Sequence, residues 1–245
     1  MNPRSNRVLA ILALAAAAGA ASASISGSLV TVTATSSLGT AQLEFITNSS
    51  FENGVLIDGL SEAVDMVDDD GDVIATLSNL NVLLIADPVI NMNFAVFAGA
   101  ADTSFVITST LLSFPNIASA TARASAGVTV TDSNGDGATA TGDFDRDKFF
   151  RAFYNGGVAG SGTVFSSLID SPVTIPDGFG SDKASEESGP GFDAIGSVDD
   201  MSTEFRFTLS ALDQVGATST FVVVPSPASI ALASLGGLAM LRRKR

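Results

Sequence analysis

The chain has no cysteine, no histidine and no tryptophan, a single tyrosine, and only 12 basic residues against 26 acidic ones in 245. Each shortage removes chemistry. Without cysteine there is no disulfide framework, no thiol nucleophile and no thiolate metal site. Without histidine the usual general base, the Ser-His-Asp triad and the commonest zinc ligand are gone. Six of the cations, Arg4, Arg7, Arg242, Arg243, Lys244 and Arg245, lie at the two ends. The stretch between them therefore holds six cations against all 26 acids, a net charge of −20. Nucleic acid, a polyanion bound through Lys and Arg, is disfavoured as a partner. The same charge favours solubility and can attract divalent cations.

The ends carry targeting patterns. Arg4 and Arg7 form a positive n-region, Val8 to Ala18 an apolar h-region too short to span a membrane, and Ala21-Ser22-Ala23 an A-x-A cleavage site. Residues 1–23 are expected to be a signal peptide. At the other end an apolar run, Phe221 to Val224, is followed by Pro225-Ser226-Pro227, an apolar segment from Ala228 to Leu241, and Arg242-Arg243-Lys244-Arg245. Ser226 suits an N-cap and Pro227 a first helical position. A helix from Pro227 to Leu241 would be about 22 Å long against a hydrocarbon core of about 30 Å, a weak span rich in small residues. The four cations after it would stay on the cytoplasmic side.

Val224-Pro225-Ser226-Pro227, the Gly-containing apolar segment and the terminal Arg/Lys cluster together resemble the PEP-CTERM sorting signal of bacteria that make extracellular polysaccharide, with Ser226 where the motif usually has glutamate. The resemblance covers the last 25 residues. It implies recognition by an exosortase-type processing enzyme, cleavage near Pro225 to Pro227, membrane attachment through the C-terminal helix before processing, and delivery to the cell surface or the extracellular space. A plain tail anchor without processing is the alternative.

Between the ends the hydropathy period is two. Leu29, Thr31 and Thr33 alternate with Val30, Val32 and Ala34; Ile90, Met92, Phe94 and Val96 with Asn91, Asn93, Ala95 and Phe97; Phe205, Phe207 and Leu209 with Arg206, Thr208 and Ser210. One-sided burial of a strand produces this pattern. Turn formers separate such runs, among them Asn53-Gly54, Asp70-Gly71, Asp87-Pro88, Asn134-Gly135, Asn155-Gly156-Gly157 and Asp177-Gly178. No long amphipathic helix is present. The expectation is one all-β domain over 24–220, an antiparallel sandwich or jelly roll, followed by a sorting anchor over 221–245.

Two local features bear on chemistry. In Asp132 to Asp143, the residues Asp132, Asn134 and Asp136 alternate, Gly137 permits a sharp turn, Ala138 can offer a carbonyl and Asp143 falls at the twelfth place. This spacing suits Ca2+, which takes six to eight oxygens. A Gly/Asp loop with solvated carboxylates, entered from the strand-like Val128 to Thr131, is the simpler reading. The second feature is Phe144, Phe149, Phe150, Phe153 and Tyr154 interleaved with Arg146, Lys148 and Arg151. Sugar platforms usually use Trp or Tyr, so core phenylalanines are the favoured reading. The glycines at 156 and 157 are expected to turn this strand into a hairpin with residues 158–169.

These patterns lead to a non-enzymatic, exported, acidic β-sandwich with a structural or adhesive role at the surface or in the polysaccharide matrix. Two rival classes stay open. One is a calcium-dependent carbohydrate-binding or adhesion module. The other is a glycoside hydrolase built on Glu186, Glu187 or Glu204, which needs two carboxylates about 5 to 10 Å apart in a cleft.

Overall fold

The computed structural model describes residues 23–47 and 49–226. Residues 1–22, which hold nearly all of the expected signal peptide, and the tail from Pro227 onward, with its expected helix and its cations, lie outside them. Among the described residues no helix is long and apolar enough to cross a membrane.

The described chain is all-β. Its strands are β1 (Ser24–Ser36), β2 (Thr40–Phe45), β3 (Val55–Gly59), β4 (Val64–Val67), β5 (Val73–Ile85), β6 (Val89–Ala98), β7 (Thr103–Asp132), β8 (Ala138–Gly142), β9 (Phe150–Tyr154), β10 (Thr163–Leu168), β11 (Val173–Ile175), β12 (Gly180–Glu187), β13 (Asp193–Leu209) and β14 (Gln214–Pro225). Neighbouring strands pair antiparallel throughout. β-Branched runs such as Val30 to Thr33 suit a pleated, half-buried surface, and Asn53-Gly54 takes positive φ at both residues (52° and 80°), as a tight turn requires.

The 30-residue β7 organises the fold. Its first part, Thr103 to Ser113, pairs with β1 on one edge and with the second half of β13 on the other. Its last part, Ala120 to Asp132, pairs with β14, and on its other edge with β12. Burial shows how one strand serves both layers. Thr103, Phe105 and Ile107 point inward at odd positions; Ser109 to Leu112 are all buried; after a largely exposed stretch from Pro115 to Ser119, the even positions from Ala120 to Asp132 are inward. Exposed Pro115 sits in the bend between the two parts, where a missing N–H costs no ladder bond. The result is a sandwich. One layer runs β2, β1, β7, β13, β9, β10, with β8 and β11 beside β13; the other runs β12, β7, β14, β6, β5, β3.

Aromatic rings join the layers. Phe94 of β6 meets Phe205 of β13 edge-on at 5.1 Å and lies parallel to Phe207 at 6.4 Å, and Phe165 of β10 stacks on Phe221 of β14 at 5.5 Å. Each such pair contributes about 0.5–1.5 kcal/mol beyond area burial. Phe144, Phe149, Phe150 and Phe153 are all buried, so this segment supplies core rather than a platform. β9 and β10 form the hairpin expected around Gly156 and Gly157.

Two boundaries differ from the sequence reading. Glu186 and Glu187, which the polar, Gly-rich sequence around them places in a loop, end an edge strand, Gly180–Glu187, on β7; exposed on both faces over its first half, it shows no alternation there. The division expected after Thr220 falls inside β14. Phe221 and Val223 are fully buried, and the ladder with β7 continues to Pro225 opposite Ala120.

Candidate ligand-binding face

The alternation that buries one side of each strand turns the other outward, and in the layer led by β12 and β14 register aligns these outward residues into rows. Ser185, Gly127, Thr218, Asn93 and Asn81 are successive partners on β12, β7, β14, β6 and β5. Lys183, Thr129, Gly216, Ala95 and Asn79 flank them on one side, and Glu187, Ser125, Thr220, Asn91 and Leu83 on the other. Rows two residues apart lie about 7 Å from one another, and five strands span about 19 Å.

Shallow grooves cross the strands here. One of about 450 Å³ is walled by Asn93, Thr129, Lys183, Ser185, Gly216 and Thr218. The next, about 380 Å³, includes Ser125, Gly127, Glu187 and Thr220. A third continues past Arg123, Val222 and Phe192, which is 47% exposed. Asn91 Nδ2 donates to Thr220 Oγ1 and Asn81 Nδ2 to Asn79 Oδ1, both at 2.8 Å. Asn93, Ser125, Thr129, Ser185 and Thr218 make no side-chain hydrogen bond among the described residues, so their donors and acceptors face solvent. Glu187 is ion-paired with Arg123 at the rim.

The Asp132 to Asp143 segment is a turn followed by a strand. Asp132, at the end of β7, accepts the N–H groups of Asn134 (3.0 Å) and Gly135 (2.6 Å) on Oδ1 and of Gly137 (2.9 Å) on Oδ2. Burial opposes ionisation there, but the N–H groups of Gly135, Gly137 and Asn134 outweigh it and hold the carboxyl below its usual range. Asn134 Oδ1 accepts the Asp136 N–H (3.1 Å), and Ala138 is the first residue of β8. Asp143 lies beyond the far end of β8 and accepts from Thr208 Oγ1 at 3.1 Å. Five strand residues extend about 17 Å, whereas calcium ligands sit at about 2.3–2.6 Å, so the turn and Asp143 are not brought together. Among the described residues no cluster of three or more carboxylates is arranged to hold a metal ion.

Behind the turn lies Asp213, fully buried, which accepts from Ser210 Oγ (2.6 Å) and from the Ser133 N–H (3.2 Å). Burial pushes its carboxyl up; these two hydrogen bonds offset part of that, and the charges of Asp132 and Asp136 add to it.

The three candidate glutamates do not converge. Glu186 and Glu187 are adjacent in β12 and point to opposite faces, the first accepting from Lys148 Nζ (3.1 Å) and the Ile169 N–H, the second pairing with Arg123. Glu204 is buried in the other layer, bound by Arg206 Nε and by Thr108 Oγ1 (3.0 Å), beneath the loop that carries Gly160. Of the residues expected to form a sorting motif, Val224 and Pro225 close β14, and Ser226 donates its N–H to Ser119 O at 2.7 Å; Pro227, Arg242, Arg243, Lys244 and Arg245 lie outside the described residues.

Sequence reading did not single out the polar rows. Their trace is the pair of N-x-N patterns, Asn79-x-Asn81 and Asn91-x-Asn93, on strands that turn out to be neighbours.

No protein-family model and no curated protein matches the chain. Among solved structures, TmCBM61 in complex with β-1,4-galactotriose aligns at 10% identity over 70% of this chain and 88% of its own, with a TM-score of 0.26. The enzymatically active domain of bacteriophage CBA120 tailspike protein 4 aligns at 11% identity over 74% of this chain and 22% of its own, TM-score 0.18. The VP2 subviral particle of infectious bursal disease virus aligns at 11% identity over 92% and 75%, TM-score 0.15. At such scores no property of these proteins is carried to this chain.

Proposed function

We propose that this chain is a non-enzymatic, exported surface or matrix protein of a polysaccharide-producing bacterium, sorted through its C-terminal tail, whose β-sandwich holds extracellular polysaccharide on the face formed by β12, β7, β14, β6 and β5. The observation that carries the reading is the row Ser185, Gly127, Thr218, Asn93 and Asn81, uncharged over five strands and bearing a hydroxyl or amide at every position but the glycine. Hydroxyls and amides exchange water for sugar hydroxyls at little net cost, directly or through bridging water. The glutamates that a hydrolase would need are engaged with cations and N–H groups and do not share a cleft. β14 contributes Thr218 and Thr220 to the face and ends at Pro225, where the tail begins.

Intact-mass analysis of the protein from the native cell surface and from the medium tests this. The proposal expects loss of residues 1–23, loss of the residues after about Pro227, and co-purification with the extracellular polysaccharide. A membrane-bound form that keeps Arg242 to Arg245, with none of the protein in the polysaccharide fraction, would contradict it.

A further inference from the structure

We infer that the ligand of this face is an uncharged polysaccharide chain lying across the strands, with Gly127 as the floor of its track. The inference rests on the polysaccharide-binding reading above and names the class of polymer and its path.

Charge selects the polymer. The central strands β14, β6 and β5 present Gly216, Thr218, Thr220, Asn93 and Asn81 without an ionised group among them. The cations at the rim are Lys183 and Arg123, and Arg123 is already paired with Glu187. On this face a polyuronate or sulfated chain would find one unpaired cation among the described residues, Lys183, to offset the field of a body of net charge −20. A neutral chain meets no such field.

Shape selects the path. Both main grooves run from β12 over β7 to β14, and the larger reaches β6, so each crosses strands instead of following one. Gly127 lines both grooves, and a Cβ there would stand 3.4 Å from Thr218 Oγ1 and 3.8 Å from Ser185 Cβ. Its backbone is free of positive φ, so nothing in the fold demands glycine. A side chain at this point would fill the track while leaving the strand intact. The side chains of Asn93, Ser125, Thr129, Ser185 and Thr218, which have no hydrogen-bond partner among the described residues, surround it. A span of about 19 Å suits an oligosaccharide stretch of a polymer, not a single sugar.

The test is affinity electrophoresis of the protein recovered from its host, in native gels cast with dextran, galactan, hydroxyethylcellulose, alginate or the host's own extracellular polysaccharide. Gly127→Val, Asn93→Leu and Thr218→Val are compared with Thr33→Val, on the other layer, after equal thermal midpoints have been confirmed. Retardation by at least one neutral polymer and none by alginate is expected. Gly127→Val should abolish it, Asn93→Leu and Thr218→Val should each weaken it about three- to tenfold, and Thr33→Val should leave it unchanged. Retardation by neutral polymer that survives Gly127→Val overturns the track, although the protein would still bind polysaccharide. Retardation by alginate alone overturns the neutral class on the same terms. Absence of retardation in every gel, the host polymer included, overturns the binding reading itself and this inference with it.

Discussion

Gly127 on β7 and Thr218 on β14 are register partners on the outer face, and the space over Gly127 is bounded by Thr218 Oγ1 at 3.4 Å from an added Cβ. Strand interiors favour β-branched residues over glycine. Gly127→Val is therefore expected to fold with a stability within about 1 kcal/mol of the parent, or higher, when measured by urea unfolding. A loss of several kcal/mol would show that the glycine is structural and not part of an open track.

Gly160 is the contrasting case. Its φ is +70°, and a Cβ would run into Glu204 Oε2, which is buried and held by Arg206 and Thr108. Gly160→Ala is expected to destabilise by about 1–3 kcal/mol, through both strain and overpacking. Gly157→Ala, with φ +66° but no atom within 4 Å, should cost only the strain of its backbone. Equal losses in the two variants, read from thermal unfolding, would contradict the packing of this loop over Glu204.

Phe205 contacts Phe94 across the layers and Phe150 within its own, and is fully buried. Phe205→Ala is expected to cost about 3–5 kcal/mol in urea unfolding, whereas Val158→Ala, at a side chain 66% exposed, should stay within about 0.5 kcal/mol of the parent.

Asp213 makes stability depend on pH. Burial, with the charges of Asp132 and Asp136, raises its folded-state pKa above the unfolded value near 3.8. A raised carboxyl contributes stability that is fully present below the unfolded pKa and is lost as pH rises through the folded one. Asp213→Asn keeps an acceptor for the Ser133 N–H and can donate to Ser210 Oγ. The variant should gain on the parent as pH rises from about 4 toward 7. Thermal midpoints over that range check the sign, and a variant that loses ground at pH 7 would contradict it.

Strands with one constant buried face were legible from their residues: Val30 to Ala34, Ile90 to Val96 and Phe205 to Leu209 alternate in sequence as they do in burial. Turns were legible too, because Asn53, Gly54, Asn155 and Gly157 adopt the positive φ that suits their types. What escaped reading has a physical cause in each instance. β7 changes its inward phase at Ser109 to Leu112, which erases a single period over its 30 residues. Met201 to Phe205 are buried consecutively across a register shift in β13. β12 is an edge strand with little to bury. Phe221 to Val224 looked like the start of an anchor because a core strand and a membrane segment are both apolar; only pairing with β6 and β7 separates them. The candidate face was the least legible feature of all, since it consists of ordinary Asn, Ser, Thr and Gly residues that become a surface only once five strands are in register.

Co-sedimentation of the protein with its host's extracellular polysaccharide, parent beside Gly127→Val, decides whether this face binds the polymer. The parent is expected to pellet with the polymer, and the folded Gly127→Val variant to stay in the supernatant. Pelleting of both to the same extent, or of neither, would contradict that assignment.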